Sequence, residues 1–228
     1  MESDDLSQLH DFWLACGLPE SACPAALTRF QQYRQLIEAH NAAASLMGPA
    51  GVGDFYLKHV ADSLAVLIAW PELASGPLRL ADVGAGAGLP GLVLAIALER
   101  VQLTAIESNQ RKAEFVRLAA GELGLADRVR VVSRRSRELG QEGASANQFD
   151  VIVARAVAAA DKLIRDNRRL LAPGGSMILY KTPSSLGEEL HLAQREADKY
   201  GLTVTVSEPI DLPAGAGARQ FIRSDAPI

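Results

Sequence analysis

The stretch LADVGAGAGLPG, residues Leu80 to Gly91, combines a short apolar run with a high density of glycine. Glycine adopts positive φ without steric cost and lets a ligand approach the backbone closely. Glycine-rich turns between a strand and a helix bind nicotinamide dinucleotides, nucleotide phosphates and S-adenosylmethionine alike. The turn therefore predicts a ligand site without choosing the ligand. A tight turn with no ligand is the alternative.

The composition is that of an ordinary globular protein. At 228 residues, 48% of them apolar and 22% charged, the chain is long enough for one domain with its own core. Cys16 and Cys23 form neither a disulfide framework nor a metal-ligand spacing, so we expect a reducing cytoplasm and no metal. The acidic N-terminus and the lack of an apolar run of roughly 20 residues argue against a signal peptide and a membrane span. With a net charge of −4, nucleic-acid binding requires a local basic patch.

Residues 1–75 are predicted to form an N-terminal helical cap. Its first helix ends at Gly17-Leu18-Pro19. A second helix is predicted from Ala25 to about His40, and a third over DFYLKHVADSLAVLIAW, residues 54–70. Between these two helices, Gly48 to Gly53 is predicted to be a loop.

Residues 76–228 have the pattern of an α/β domain. Short apolar runs alternate with helical segments, which indicates a parallel sheet covered by helices on both faces. These runs are LRLADVG, QLTAIES, RVRVVSR, FDVIVARA and SMILYKT. Helices are expected to begin near Pro90 and Gln110. Another is expected from about Ala159 to Leu171, with Pro173-Gly174-Gly175 as its stop.

Two further strands are predicted in the tail, LTVTVSEPI and ARQFIRS, residues 202–210 and 218–224. The short link between them permits an antiparallel pair but no parallel crossover. The predicted fold class is therefore a Rossmann-like, mostly parallel α/β sheet with an antiparallel last strand and an N-terminal helical cap.

The glycine turn fits a dinucleotide fingerprint, G-x-G-x-x-G, poorly. Counted from Gly84, the third glycine position holds Leu89. Counted from Gly86, it holds Gly91, which already lies inside the predicted helix. That alignment also leaves Asp82, just before the turn, without a role. A P-loop is absent as well, because an aspartate follows the second glycine of the one matching pair.

The pattern acid-x-Gly-x-Gly-x-Gly, which begins at Asp82, resembles the first motif of class I S-adenosylmethionine-dependent methyltransferases. Glu107 ends the next strand about 20 residues after the turn, where an acid can accept both ribose hydroxyls of an adenosine. This acid also fits NAD. The antiparallel tail is typical of the methyltransferases and not of plain dehydrogenases, so a methyltransferase is predicted.

The end of the fourth predicted strand limits the substrate. Ala154-Arg155-Ala156-Val157 stands where enzymes that methylate exocyclic amines of adenine or cytosine carry a Pro-Pro-aromatic turn. Neither cysteine lies in the sheet domain, although cytosine C5 methylation needs a cysteine nucleophile. The remaining chemistry is transfer to an atom that is already nucleophilic, which needs alignment more than a base. Guanine N7 is one such atom.

Five segments together resemble the glucose-inhibited division protein B family. They are KHVADSLAV, DVGAGAGLPG, ESNQRKAEFVR, FDVIVARA and LAPGGSMILYK, and the resemblance runs from about residue 25 to 223. Members of this family methylate N7 of a guanine in the 530 loop of 16S rRNA, guanine 527 in the family's rRNA numbering. The resemblance implies S-adenosylmethionine as cofactor, 16S rRNA or the small ribosomal subunit as partner, and a monomer.

The resemblance also implies which residues bind the cofactor. Those expected to line its methionine and ribose part are Gly84, Gly86, Gly88 and Leu89. Glu107 would accept bonds from the ribose hydroxyls, and Ser136-Arg137 would flank the adenine. Arg155 would lie at the reacting end as the catalytic residue, in contact with cofactor or target base. The alternative for Arg155 is an ion pair with an acid such as Asp82.

The expected substrate-binding residues are Asn41, His59, Lys181, Arg134 and Arg135. The alternative role for Asn41 is helix capping. The alternative role for His59 is purely structural, namely to fix its helix to the sheet. Lys181 is a candidate for a phosphate contact.

Basic residues cluster around the third predicted strand. They are Arg128, Arg130, Arg134, Arg135 and Arg137, with Arg165, Arg168 and Arg169 elsewhere in the chain. The cluster is either a phosphate-binding patch or solvated surface charge.

Three segments depart from the family pattern. Ser45-Leu46-Met47 replaces Asn-Leu-Thr, Lys181-Thr182 replaces Lys-Gly, and Gly217-Ala218-Arg219-Gln220 replaces Gly-x-Arg-His. Two other functions therefore stay open: methylation of another RNA or a small molecule, and non-catalytic ribosome binding by a protein that retains the cofactor fold.

Overall fold

The computed structural model describes residues 2–142 and 146–228, with the side chains of residues 2, 49 and 50 left out. The α-helices are α1 (Glu2–Ala15), α2 (Cys23–Ala44), α3 (Pro49–Gly53), α4 (Ala61–Leu64), α5 (Val66–Ala69), α6 (Gly91–Ala97), α7 (Gln110–Glu122), α8 (Ser136–Leu139), α9 (Ala160–Asn167) and α10 (Pro183–Asp198). The strands are β1 (Leu78–Val83), β2 (Val101–Ile106), β3 (Val129–Val132), β4 (Phe149–Arg155), β5 (Leu171–Lys181), β6 (Thr203–Val206), β7 (Ile210–Asp211) and β8 (Ala218–Asp225).

The strands form one sheet in the order β3-β2-β1-β4-β5-β8-β6, and the short β7 pairs with β8. The first five are parallel, whereas β8 is antiparallel to both β5 and β6. The predicted fold class and its antiparallel last strand are thus confirmed. Strands β2 and β3 lie on one side of β1, and β4 and β5 lie on its other side, so the strand order switches between β1 and β4. Ligands are expected at the carboxyl ends of the strands at such a switch point.

Helices cover both faces of the sheet and enclose two apolar cores. On one face the N-terminal helices pack with α6 and α7, and Trp13, Phe30 and Tyr33 are fully buried there. On the other face, α9 packs over β5, and α10 packs over β8 and β6. Ile152 of β4 and Ile164 of α9 both belong to this core. The N-terminal cap therefore shares a core with the sheet.

The N-terminal helices depart from the prediction in two places. The predicted loop from Gly48 to Gly53 contains the short helix α3. The predicted third helix is broken into a π-helical turn, Phe55–Val60, followed by α4 and α5. In the π-turn the Ala61 N–H donates to the carbonyl of Tyr56, five residues back. Phe55, Tyr56 and Val60 are all buried in this turn. Such π-helical turns are rare and occur mostly as single turns within helices.

The region around Pro173-Gly174-Gly175 also differs from the prediction. Helix α9 ends at Asn167, and β5 begins at Leu171, so these residues lie inside a strand. Pairing with β4 jumps from Leu171 to Ser176, which leaves a bulge between them. Gly175 fits this bulge because a Cβ there would lie 2.9 Å from two carbonyl oxygens.

Helix α10 was not among the predicted elements, although its start is encoded in the sequence. Thr182 and Ser185 form a capping box at its N-terminus, and a proline occupies the first turn. No helix in the described parts of the chain has the length and apolar character needed to cross a membrane.

Candidate active site

The glycine turn follows β1 at the carboxyl edge of the sheet. Gly84, Gly86 and Gly88 have φ values of 72°, 57° and 90°, a region that favours glycine. A Cβ on Gly84 would lie 2.5 Å from a methyl group of Val157, and one on Gly88 would lie 2.8 Å from the Tyr33 hydroxyl. Conformation and close packing therefore both require glycine at these two positions.

Several predicted cofactor residues line one cavity of about 370 Å³ at this edge. Its lining includes Gly84, Val157, Ser136 and Arg137. Arg134 and Arg135, expected to bind substrate, also line this cavity. Gly88 and Leu89 are buried instead, and the lining includes neither of them.

Glu107 follows β2 and is held in place by the backbone of the glycine turn. One carboxylate oxygen accepts the Gly86 N–H at 2.8 Å, and the other accepts the Asn109 N–H at 2.7 Å. A carboxylate oxygen accepts two hydrogen bonds, so each still has one site available. The Glu107 carboxylate is thus oriented in advance and can still accept bonds from a ligand.

Asp82, at the end of β1, lies fully buried beneath the turn. One of its oxygens accepts the Gly91 N–H at 2.7 Å, and the other has no hydrogen-bond partner among the described residues. Burial raises the pKa of Asp82 to about 7, although the bond from Gly91 and the charge of Arg155 oppose the rise. The acid before the turn therefore ties β1 to the start of α6.

A second, larger cavity of about 730 Å³ adjoins the first. Its lining includes His59, Arg155, Lys181 and Arg219. Val157 and Ala158 line both cavities and form the boundary between them. The structure thus brings the predicted catalytic arginine next to the predicted cofactor cavity.

Arg155 forms an ion pair, as its alternative interpretation proposed, but the partner is Asp62 and not Asp82, the acid given as an example. An Nη atom of Arg155 donates to Asp62 at 2.8 Å, and Arg219 donates to both oxygens of the same carboxylate. Asp62 is 2% exposed, which makes it a buried carboxylate between two guanidinium groups. Asp62 lies on α4 in the N-terminal cap, next to Arg155 at the end of β4. Asp82 instead accepts a hydrogen bond from the Gly91 N–H.

Sequence reasoning missed Arg219 as a candidate site residue. Its signal was the Gly-x-Arg part of the C-terminal family pattern, in which only the following position departs, at Gln220. The Gln220 side chain donates to the Ser207 carbonyl at 2.8 Å. Gln220, which departs from the family pattern, therefore bonds to the backbone, and Arg219, which fits the pattern, lines the cavity.

His59 lines the second cavity with a neutral imidazole. Burial lowers the pKa of His59 to about 4, and the charge of Arg155 contributes in the same direction. The His59 Nε2 atom is buried without a hydrogen-bond partner among the described residues. His59 thus presents an uncharged polar group, and both the substrate-binding and the structural interpretation remain predictions.

Asn41 and Lys181, two other predicted substrate residues, are engaged within the protein. The Asn41 amide accepts the N–H groups of Leu46 and Met47 and donates to the Met47 carbonyl, which caps the end of α2. The Lys181 ammonium lies 2.5 Å from Glu189. The structure thus shows the capping alternative for Asn41, and Lys181 lines the larger cavity as part of an ion pair.

The basic cluster around β3 is divided between the two ends of the strand. Arg128 and Arg130 line a cavity of about 410 Å³ with Arg79 at the amino-terminal edge of the sheet. Arg134 lies at the carboxyl edge, where it pairs with Glu142 at 2.7 Å. A single patch of all five arginines was therefore a wrong expectation, because an extended strand separates its two flanks.

Comparison with known proteins shows which family the chain belongs to. A family model described as rRNA small subunit methyltransferase G matches residues 26–209, well over half of the chain. The chain belongs to this family. Among its relatives, the ribosomal RNA small subunit methyltransferase G proteins of Synechococcus sp. (strain RCC307) and Deinococcus deserti are 34% and 36% identical. Each alignment covers 86% of this chain, with 82% of the first relative and 79% of the second.

Solved structures independently support the methyltransferase fold. The P. horikoshii protein TYW2, solved in complex with MeSAdo, is similar with a TM-score of 0.58 and 17% identity over 80% of this chain and 65% of that one. A SAM-dependent O-methyltransferase from Thermotoga maritima has a TM-score of 0.56 and 19% identity over 73% and 65%. At these identities the likeness concerns the fold alone.

Family membership confirms the predicted enzyme class. The chain is an S-adenosylmethionine-dependent methyltransferase of the small-subunit ribosomal RNA. The roles of its individual site residues remain predictions.

Proposed function

We propose that this methyltransferase modifies N7 of a guanine in the 530 loop of 16S rRNA, guanine 527 in the family's rRNA numbering. The observation that carries the proposal is the direct contact of the two cavities at Val157 and Ala158. Gly84 of the glycine turn lines one cavity, and two guanidinium groups line the other. A donor and an acceptor bound in them would be neighbours.

The residues of the first cavity and its rim fit S-adenosylmethionine. When bound, the cofactor supplies an electrophilic methyl group. Gly84 and Gly86 leave the backbone open, and Gly88 and Leu89 support the turn from within the core. Glu107, held by the backbone of the turn, would accept bonds from the ribose hydroxyls, and Ser136-Arg137 would flank the adenine.

The second cavity fits a guanine better than an acceptor that must lose a proton. Guanidinium groups are the side chains that proteins use most often for guanine O6 and N7, and Arg155 and Arg219 line this cavity. Asp62 accepts three hydrogen bonds from these two cationic arginines and is therefore a poor general base. N7 carries its own lone pair, so positioning by Arg155 suffices for the transfer.

We infer that the partner is 16S rRNA, free or within the small subunit, and that the enzyme acts as a monomer in the cytoplasm without a metal ion. Cys16 and Cys23 are both free thiols, which supports a reducing compartment. The described residues contain no group of three or more potential metal ligands.

Transfer of labelled methyl groups tests this proposal. Small subunits lacking the modification, free 16S rRNA and tRNA are offered as acceptors, and the labelled nucleoside is identified. We expect 7-methylguanosine from 16S rRNA only. Arg155→Lys should reduce kcat by about 100-fold with S-adenosylmethionine still bound. Arg117→Lys, an exposed change on α7, is the control and should retain full activity.

Other outcomes of this assay would contradict specific parts of the proposal. Label on tRNA, or on another nucleoside, would overturn the substrate. Cofactor binding without transfer to any acceptor would favour a ribosome-binding protein that has lost catalysis.

A further inference from the structure

Four arginines, three close together in sequence and one distant from them, surround one cleft on the surface. Arg137, Arg165, Arg168 and Arg169 line a cavity of about 210 Å³ together with Tyr200. These four residues are named here the arginine cleft. Arg137 was expected to lie apart from the other three, and the structure brings all four together.

The fold creates the cleft by packing α8 beside α9. Arg165 lies in the last turn of α9, and Arg168 and Arg169 follow directly in a 3₁₀ turn. Arg137 comes from α8, which packs against α9. The juxtaposition is therefore fixed by secondary structure.

Tyr200 holds one guanidinium of the cleft in a set orientation. The Arg168 guanidinium carbon lies 3.7 Å from the centre of the Tyr200 ring, and the same guanidinium donates to the Arg165 carbonyl. Stacking on an aromatic face leaves the guanidinium edge available for an anion. Arg168 is thus positioned before any ligand binds.

The charges around the cleft leave an excess of positive charge. Asp166 lies 3.4 Å from Arg165, and Glu196 lies 2.5 Å from Lys199, so each nearby acid has a basic neighbour of its own. Arg137 and Arg169 are exposed and form no ion pair with any residue in the described ranges. Two guanidinium groups in one cleft remain unneutralised in a protein whose net charge is −4.

The cleft is continuous with the cavity that contains the glycine turn. Arg137 and Asp166 line both. We propose that the arginine cleft binds phosphodiester groups of the RNA substrate next to the target nucleotide. RNA phosphates are the ligands that paired guanidinium groups recognise by bidentate hydrogen bonds, and such contacts position a substrate without reading its sequence. The inference rests on the RNA substrate and not on which guanine is methylated.

The test compares Arg169→Gln and the double variant Arg165→Gln/Arg169→Gln with Arg117→Gln, which removes an exposed arginine from the opposite face of the sheet. Methyl transfer to small subunits lacking the modification gives kcat and both KM values. We expect the KM for RNA to rise about 5-fold for each substitution in the cleft. The KM for S-adenosylmethionine and kcat should stay unchanged, because neither residue lines the cofactor cavity.

The salt dependence of RNA binding separates a phosphate contact from a structural effect. Log affinity for a labelled 16S rRNA fragment falls as log salt concentration rises. For each arginine removed, this slope should become shallower by about one. Equal slopes and equal RNA KM values for the cleft variants and Arg117→Gln would overturn the inference. So would a loss of RNA binding that tracks a fall in thermal unfolding temperature.

Failure of this inference can be distinguished from failure of the proposed nucleotide. If the label lies on another nucleotide of the RNA but Arg169→Gln raises the RNA KM, the cleft stands and the nucleotide assignment fails. If 7-methylguanosine forms normally but Arg169→Gln behaves as wild type, the reverse holds.

Discussion

Two buried aspartates near the active site differ in what surrounds their carboxylates. Asp62 accepts hydrogen bonds from Arg155 and Arg219, so its charge is balanced by two guanidinium groups. Asp82 accepts one N–H bond, from Gly91, and its other oxygen has no partner in the described parts of the chain. The same residue type therefore orients arginines in one place and titrates near neutrality in the other.

The raised pKa of Asp82 gives a prediction for stability against pH. The folded-state pKa of about 7 lies above the reference value of 3.8, so the folded protein holds this proton more tightly. The contribution of Asp82 to stability is present at low pH and is lost as pH rises toward 7. Between about pH 5 and pH 8, the free energy of unfolding of wild type should fall by about 3 kcal/mol relative to Asp82→Asn.

Denaturant unfolding of both proteins across this pH range measures the difference. His59, whose lowered pKa acts in the opposite direction, is present in both proteins and cancels. Parallel pH profiles for wild type and Asp82→Asn would show that Asp82 is already ionised at low pH in the folded protein.

At the scale of elements, the turn from β1 to α6 and the turn after β4 meet at the active site. Gly84 belongs to the first turn, and Val157 of the second covers it. Ala156, next to Val157, has a φ of 55°, an uncommon value for a residue with a side chain. The close contact of these turns forms the boundary between the two cavities.

Gly84→Ala should therefore weaken cofactor binding by at least about 10-fold and destabilise the protein by about 1–3 kcal/mol. The new Cβ meets Val157 and the φ of 72° is unfavourable for alanine. Adding Val157→Ala should restore part of the stability by removing the contact, while the φ cost remains. Calorimetric titration and thermal unfolding measure both effects. Gly121→Ala, an open position in α7, is the control and should stabilise by about 0.5–1 kcal/mol.

The elements that sequence reasoning predicted correctly are those with strong local patterns. Apolar runs such as LRLADVG located the strands, and the glycine turn located the carboxyl edge of the sheet. The π-turn at Phe55–Val60 was not predicted, because the apolar residues of this segment also fit the period of a regular helix. The bulge before Ser176 depends on strand pairing, which a local pattern does not contain.

The same distinction applies to the site. Glu107 and Arg155 were predicted because motifs place them at strand ends. The pairing of Arg155 with Asp62, 93 residues away, and the assembly of the arginine cleft depend on tertiary contacts.

At the scale of the whole molecule, the N-terminal cap and the sheet share one apolar core. The Tyr33 hydroxyl donates to the Ala87 carbonyl in the glycine turn, and Asp62 of the cap joins Arg155 of β4. The boundary predicted near residue 75 therefore separates two segments of the sequence, but side chains from both segments contact each other across it. The cap supplies part of the active site as well as its cover.

We expect the protein to unfold in one cooperative transition, because the two segments bury each other. A fragment of residues 76–228 should lack that transition, since it would expose Leu92 and the other residues that face the cap. Differential scanning calorimetry of the full chain and the fragment tests this. Two separate transitions in the full chain, or a native-like transition in the fragment, would contradict a shared core.

The most direct test of the account is to locate the methyl group on the RNA. After methylation in vitro, 16S rRNA is reduced and treated with aniline, which cleaves the chain at 7-methylguanosine, and the cleavage site is mapped by primer extension. We expect one new cleavage, within the 530 loop, which is strongly reduced with Arg155→Lys at the same reaction time. Cleavage elsewhere, or labelled RNA that resists cleavage, would contradict transfer to guanine N7 at that position.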